Sequence, residues 1–274
     1  MIRDITLGQY YPGNSWIHRL DARIKIIWTF VYIVSLFLIR DFWGYITVLV
    51  TLGLIIGVSR VPLNFIMRGL KPIFLIIIFT FAINMFMTKG TPLVEIGFLV
   101  ITREGLYNAV FMGTRLILLI IGSSLLTLVT KPINLTDGIE KLLSPWHRIG
   151  VPAHELAMMM TIALRFIPTL LEETDKIMKA QMARGADFES GNIMNRAKSL
   201  IPLLVPLFIS AFRIAQDLAM AMEARCYRGG SHRTRMNGMK LKKKDAAAIV
   251  FMVLYLALVI LQFQGIVAMI AYAG

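Results

Sequence analysis

The chain has 274 residues, of which 57% are hydrophobic and 16% charged, and its mean hydropathy is +0.69. A chain this apolar exceeds what one water-soluble core can bury, so its composition excludes a soluble globular domain and indicates a membrane protein. The formal net charge of +13 requires no nucleic-acid partner, because basic residues also accumulate on the cytoplasmic side of membrane proteins.

Five apolar windows approach or reach the roughly 20 residues that a helix needs to cross a bilayer. They are about Ile24 to Ile39, Phe42 to Val58, Leu70 to Met87, Leu106 to Thr130 and Ala246 to Ala273. The first two windows are short and closely joined, which indicates a tight helical hairpin. The predicted fold class is all-α, a polytopic membrane protein with about five transmembrane helices.

Basic residues predict the orientation of these spans. With the N-terminus in the cytoplasm, the inner segments carry 25 of the 29 Lys and Arg residues, and only Arg40, Lys89 and Arg103 lie outside. The basic run "RTRMNGMKLKKK" before the last span also attracts anionic membrane lipid. We therefore expect a multi-pass protein of the cell membrane with a cytoplasmic N-terminus.

The segment between the fourth and fifth spans is expected in the cytosol, although it remains rich in Leu, Ile, Met and Phe. Asp137 and Glu140 form a capping pattern that predicts the start of a short helix. A long amphipathic helix is predicted to follow Pro152, with a kink near Pro168, and a second one begins near Leu203. The expected domains are a membrane part (1–130), a cytosolic domain of amphipathic helices (131–245) and a C-terminal transmembrane helix (246–274).

The two amphipathic helices end in similar sequence, "QMARGADF" and "MEARCYRG", with Arg184 and Arg225 at matching places. A cation at a helix C-terminus is favourable by about 0.3–1 kcal/mol. Gly185 and Gly229 suit left-handed helix termination, so helix capping alone would explain one such arginine. Two matched ends favour docking instead, because a guanidinium beside a small alanine offers a planar set of donors to a close partner.

Five long segments together carry a family resemblance across essentially the whole chain. They are "GQYYPGNSWIHRLDARIK", "RVPLNFIMRGLKP", "PINLTDGIEKLLSP", "HELAMMMTIALRFIPTLLEETDKIMKAQMARG" and "LIPLLVPLFISAFRIAQDLAMAMEARCYRGG". In this order they resemble the transmembrane T-component, the energy-coupling subunit, of energy-coupling factor (ECF) transporters. The resemblance implies a non-catalytic subunit without a cofactor, which works with two ABC-type ATPases and a separate membrane protein, the S-component, that captures a vitamin or micronutrient.

The resemblance also implies which residues dock on the ATPases. They are Ala183, Arg184 and Gly185 in the first motif and Ala224, Arg225 and Cys226 in the second. Cys226 stands where the family usually has glycine, so we expect the second helix to end differently, because cysteine resists a positive φ. The methionines Met158, Met159 and Met160 are predicted to contact the partner membrane subunit, because their flexible, polarizable side chains can repack.

Other function classes are weaker. No GxxxxGK[ST] phosphate-binding loop occurs in the sequence, which argues against an ATPase on this chain. A zinc protease is disfavoured because Met158 occupies the place of the second histidine after His154. A stand-alone secondary transporter or channel remains the alternative, although the spans hold few ionisable residues and show no inverted repeat.

A few polar residues lie in or beside the spans. Arg115, within the fourth span, is predicted to pair with a helix carbonyl or a neighbouring subunit. Asn84 is predicted to bond across helices. His18, Asp21 and Arg23 are interpreted as an interfacial anchor around the first span.

Overall fold

The computed structural model describes residues 10–96, 99–149, 152–186, 188, 194, 198–229 and 241–273. The helices with described bounds are α1 (Ala22–Leu38), α2 (Phe42–Ser59), α3 (Leu63–Leu70), α4 (Phe74–Met87), α5 (Arg103–Val129), α6 (Pro132–Leu143), α7 (Ala153–Ala183), α8 (Ile201–Ala224) and α9 (Lys243–Ala273). Two strands, β1 (Pro92–Ile96) and β2 (Leu99–Thr102), pair antiparallel with an irregularity between Pro92 and Val94. Helices dominate, and the all-α fold class is confirmed.

Six helical segments of the described chain are long and apolar enough to cross a membrane. They are Phe42–Ser59, Leu63–Met87, Arg103–Val129, Ala153–Ala183, Ile201–Ala224 and Lys243–Phe263. The five predicted windows coincide with α1, α2, α4, α5 and α9. Of these five helices, α1 is not among the six segments, because it has only 17 residues. The set also includes α7 and α8, whose place in the cytosol stays a prediction. The chain is a multi-pass membrane protein.

The chain divides into two compact units. The bundle unit comprises Gly8–Gly138 and Met239–Gly274, and the helix-pair unit comprises Ile139–Gly238 with Met1–Leu7. The bundle unit thus joins the two ends of the described chain, whereas the helix-pair unit comes from its middle. The predicted domain boundaries remain predictions.

The core of the bundle unit lies between α1, α2 and α5. Leu36 and Val48 are fully buried there. The Tyr32 hydroxyl donates to the Leu118 carbonyl at 2.8 Å, and a Cβ added at Gly122 would overlap the Tyr32 ring. Glycine at this position therefore allows α1 to pack closely against α5.

The start of α1 is tied to the start of α9. The Asp21 carboxylate accepts from the Arg23 amide at 2.9 Å and caps α1, and it also pairs with the Arg23 guanidinium at 3.1 Å. The Asp21 amide donates to Asp245 Oδ1 at 2.9 Å. The residues interpreted as an anchor therefore cap one helix and join two distant parts of the chain.

His18 forms a second polar junction before α1. Its Nε2 lies 3.1 Å from the Tyr11 carbonyl, and its Nδ1 lies 2.7 Å from Ser15 Oγ. A carbonyl only accepts, so Nε2 carries the proton and Nδ1 accepts from the serine hydroxyl. Burial lowers the pKa of His18, which fits this neutral ring.

Two predictions for polar residues in the spans had opposite outcomes. Arg115 Nη2 donates to the Ile39 carbonyl at 2.8 Å, and its guanidinium lies 4.9 Å from the centre of the Phe111 ring. Pairing with a helix carbonyl is therefore confirmed. The prediction for Asn84 was wrong, because its Nδ2 donates to the Thr80 carbonyl at 2.8 Å, one turn earlier in its own helix.

The predicted start of the short helix was also wrong. α6 begins at Pro132, so Asp137 lies inside the helix and does not cap it. Proline suits the first helical position, where its fixed φ fits and no amide partner is needed. The helix stops at Leu143, and a 3₁₀ turn covers Ser144–Ile149.

Candidate functional site

The helix-pair unit contains α7 and α8 packed in antiparallel directions. A cavity between them is lined by the first half of α7, from Met159 to Leu170, and the second half of α8, from Ala211 to Met222. At one end, Gln181 Nε2 lies 3.4 Å from the Pro202 carbonyl. Each C-terminus therefore lies beside the N-terminal part of the other helix.

This contact between the helices is lined by small residues on α8. Ala211, Ala215 and Ala219 recur every four residues and line the cavity shared with α7. Such a row lies on one helix face and lets two helices approach closely. Pro168 lies inside α7, which runs without a break from Ala153 to Ala183; the kink itself stays a prediction.

Much of the apolar surface of the pair is uncovered. On α7 and α8, the described buried residues are only Ala153, Ala157 and Leu203. By contrast, Phe208 is 61% exposed and Phe212 is 67% exposed. The exposed large apolar side chains of α8 follow helical spacing along one face, at Ile201, Leu204, Val205, Phe208, Ile209 and Phe212.

The first predicted docking motif forms the end of α7. Arg184 has φ −91° and ψ 7°, and Gly185 has a left-handed φ of 88°. The Gly185 amide donates to the Met182 carbonyl at 2.9 Å, and the Ala186 amide donates to the Gln181 carbonyl at 3.0 Å. This pair of bonds is a Schellman motif, with Gly185 as its left-handed residue.

The second motif ends α8 in the same way. Arg225 has φ −91° and ψ 15°, and Cys226 has a left-handed φ of 56°. The Cys226 amide donates to the Glu223 carbonyl at 2.8 Å, and the Tyr227 amide donates to the Met222 carbonyl at 3.0 Å. The expectation of a different ending was therefore wrong: two capping hydrogen bonds hold cysteine in the conformation that glycine adopts in α7.

Gly229 does not terminate α8. Its φ is 89°, but the helix has already ended at Ala224 and the left-handed residue of the motif is Cys226. The sequence signal was misleading because glycine is the usual residue at this place. When the left-handed residue is not glycine, the local sequence does not mark it. Only alignment of the second motif with the first points to Cys226.

Both arginines are exposed, as are the alanines before them. With the residues that the structure describes, neither Arg184 nor Arg225 forms an ion pair or a side-chain hydrogen bond. Each arginine directly follows the last residue of its helix, where the helix dipole favours a positive charge. The donors of both side chains are thus open to a partner carboxylate or carbonyl.

The surroundings of the two ends differ. A cavity of about 450 Å³ lies beside Arg225, with Met158, Ile162 and Tyr227 among its walls. The Tyr227 hydroxyl donates to Met158 Sδ at 3.0 Å. At the other end, a Cβ built on Gly185 meets nothing within 4 Å. Both ends are exposed, but only the second is known to border a cavity among the described residues.

The three predicted contact methionines do not share a surface. Met158 faces the cavity beside Arg225, Met159 lines the cavity between α7 and α8, and Met160 is 43% exposed. Consecutive residues of a helix point in different directions, so the three cannot act as one patch. Their role in partner contact stays a prediction.

The antiparallel packing separates the two arginines. Met158 lies beside the Arg225 end, and the 26 residues from Met158 to Arg184 span on the order of 40 Å at 1.5 Å per residue. Within the described part of the chain, no group of three or more His, Cys, Asp or Glu residues could hold a metal ion. The site offers two distant, exposed cations on one pair of helices.

Residues 13–236 match the family model described as CbiQ, cobalt transport protein. Curated relatives are similar over most of the chain. The energy-coupling factor transporter transmembrane protein EcfT of Thermosediminibacter oceani is 63% identical over 249 residues, which cover 91% of this chain and 94% of the relative. The EcfT protein of Clostridium kluyveri is 62% identical over 250 residues, with 90% and 93% covered.

A relative from Bacillus subtilis, also an energy-coupling factor transporter transmembrane protein EcfT, is 48% identical over 260 residues, which cover 94% of this chain and 98% of the relative. The family match, over residues 13–236, includes α1 to α8 and both arginine ends. It does not favour a stand-alone secondary transporter or channel. This chain belongs to the CbiQ family and, within it, to the energy-coupling factor transporter transmembrane proteins.

Proposed function

We propose that this chain is the non-catalytic membrane scaffold of an ATP-driven ECF importer. It transmits the motion of two ABC-type ATPases to an S-component, the separate membrane subunit that binds a vitamin or micronutrient. The observation that carries this proposal is the match between the ends of α7 and α8, in backbone angles and in capping hydrogen bonds. Two equal docking ends suit two similar subunits.

Each arginine would bind one ATPase. Arg184 with Ala183 and Gly185, and Arg225 with Ala224 and Cys226, are the proposed docking residues. The small alanines let a partner surface approach the helix end, and the guanidinium forms charge-assisted hydrogen bonds there. The separation of the two ends, on the order of 40 Å along the helix pair, gives each ATPase room to bind its own site.

The uncovered apolar face of α8 would contact the membrane subunit that carries the cargo. Phe208 and Phe212 are large enough to contribute substantially if buried in an interface, since aromatic residues dominate interface energetics. Met159 and Met160 would add adaptable contacts. We also propose that the N-terminus and the pair of helices α7 and α8 are cytoplasmic, which places both arginines on the side of ATP.

Capture of the two ATPases tests the docking sites. The full chain, Arg184→Ala, Arg225→Ala and the double variant would be compared in detergent at fixed salt, with Arg213→Ala as a matched control on the body of α8. Weaker capture by each single variant, loss by the double variant and normal capture by the control would support the proposal. Equal capture by all the variants would mean that the arginines only cap their helices.

A further inference from the structure

An apolar cavity of about 330 Å³ lies within the bundle unit, between α1, α2 and α9. Its walls include Trp16 and Trp28, Val58 near the end of α2, and Ala248 and Phe251 near the start of α9. The volume lies in the lower part of the range of about 300–1,000 Å³ that ligand pockets occupy. The walls are almost entirely carbon, so they suit an apolar occupant.

The cavity is a cleft between two helices that meet elsewhere. α2 and α9 are joined by a hydrogen bond of 2.7 Å from Gln262 Nε2 to Thr47 Oγ1, far along both helices from the cavity. Trp28 of α1 closes the base of the cleft, with its ring 5.6 Å from that of Phe251. The cavity therefore lies between the basic ends of the two helices, the end of α2 and the start of α9.

Three cations lie within four residues of the cavity wall in the sequence. Arg19 directly precedes a residue of the cavity wall, Arg60 follows Val58 by two residues, and Lys244 lies one turn before Ala248 on α9. All three are exposed. With the described residues, none of the three forms an ion pair. The cleft thus combines an apolar cavity with exposed cations close to its wall in the sequence.

In the described part of the chain, the nearby acidic groups form no ion pair with these three cations. Asp21 is paired with Arg23 at 3.1 Å, and the Asp245 carboxylate accepts from the backbone amides of Asp21 and Lys242. The one cation in the cavity wall, Lys25, donates to the Val129 carbonyl at 3.0 Å and to the His18 carbonyl at 3.2 Å. Its charge is therefore directed into the protein and not into the cleft.

We propose that this cleft binds an anionic glycerophospholipid, with one acyl chain in the cavity and the phosphate near Arg19, Arg60 and Lys244. A helix of a partner protein fits poorly, because at about 10 Å in diameter less than one turn would fill the volume. An acyl chain is narrow enough to enter, and tryptophans such as Trp16 are common at the headgroup level of membranes. The proposed orientation places this lipid in the cytoplasmic leaflet.

Tryptophan quenching by brominated lipids tests the site. In the full chain, Trp43→Phe and Trp146→Phe would leave Trp16 and Trp28 as the only tryptophans. The protein would be reconstituted in vesicles of phosphatidylcholine and phosphatidylglycerol at one fixed ratio, with bromine on the chains of one lipid or the other. We expect brominated phosphatidylglycerol to quench the tryptophan fluorescence about fivefold more per molecule than brominated phosphatidylcholine. This is the preference that one basic side chain gives near an anionic surface.

Matched variants separate local binding from general attraction. Arg19→Gln, Arg60→Gln and Lys244→Gln together should remove the preference, whereas Lys179→Gln, Lys198→Gln and Arg213→Gln change the net charge equally and should preserve it. Ala248→Phe fills the cavity and should reduce quenching by phosphatidylglycerol to the level of phosphatidylcholine. Equal quenching by both lipids, or a preference that survives either change at the cleft, would overturn the proposal. The readout involves no ATPase, so it is independent of the proposed coupling function.

Discussion

The ends of α7 and α8 have the same backbone and different residues. Both close with two equivalent capping hydrogen bonds, and both place an exposed arginine just before the left-handed residue. That residue is glycine in α7 and cysteine in α8. The difference shows that hydrogen bonding and not residue type sets the shape of the end, at a cost of about 1–2 kcal/mol for a side chain in the left-handed region.

The largest expected effect comes from reversing both charges. Arg184→Glu with Arg225→Glu should abolish ATP-driven uptake into vesicles that contain the assembled transporter, because removing one partner of a buried charge pair typically costs about 3–5 kcal/mol. Arg165→Glu with Arg213→Glu is the matched control, since both arginines are exposed on the bodies of the same helices. Normal uptake by the Arg184 and Arg225 variant would disprove docking at both ends.

Single substitutions test whether the two ends are equivalent. Arg184→Ala and Arg225→Ala should each weaken ATPase binding by about tenfold or more, because hydrogen bonds to charged groups contribute about 1.5–3 kcal/mol. Titration of the ATPases against each variant measures the two affinities. A large loss at only one end would show that the shared backbone hides a functional asymmetry.

Exchange of the left-handed residues should shift stability in opposite directions. Gly185→Cys should destabilise the end of α7 by about 1 kcal/mol, since a side chain resists positive φ. No steric clash contributes, because an added Cβ meets nothing within 4 Å. Cys226→Gly should remove the same strain from the end of α8. The gain in stability is reduced by the larger conformational entropy of glycine in the unfolded chain.

Hydrogen exchange at the amides of Ala186 and Tyr227, which close the two motifs, would report these changes locally. Slower exchange at Tyr227 in Cys226→Gly and faster exchange at Ala186 in Gly185→Cys are the expected results. Unchanged exchange at both would mean that the left-handed cysteine is not strained.

The smallest effect is expected from the contact that only the second end has. Tyr227→Phe removes the hydroxyl that donates to Met158 Sδ at 3.0 Å, and it should lower stability by about 1 kcal/mol or less. Thermal unfolding in detergent measures the change, with Tyr10→Phe as a control in the bundle unit. A loss of several kcal/mol would show that the end of α8 depends on this one hydrogen bond.

Much of the fold was predictable because long apolar runs and helical periodicity are strong signals. The windows from Phe42 and Leu106 lie within a few residues of α2 and α5, and the predicted amphipathic helices correspond to α7 and α8. The β1–β2 hairpin escaped notice, because its two strands have only five and four residues and lie in the link between two predicted spans.

Local choices between hydrogen-bond partners were harder to predict. Asn84 has an acceptor one turn earlier in its own helix, and Asp137 lies where helix formation had already begun at Pro132. Both cases depend on which partner is nearest in space, which residue spacing does not specify. For the candidate site, the positions of Arg184 and Arg225 at helix ends followed from the sequence, but the left-handed Cys226 did not.

The bond between the Asp21 amide and Asp245 has a consequence for biosynthesis. It joins residues 224 positions apart. The N-terminal end of α1 therefore gains this hydrogen bond only after the ribosome has made the start of α9. The Ile39 carbonyl likewise lacks its Arg115 partner until α5 has been made. α1 therefore enters the membrane well before it acquires its final neighbours. A nascent chain released before α9 would leave α1 without its closing contact, and such a truncated product is a natural target for membrane quality control.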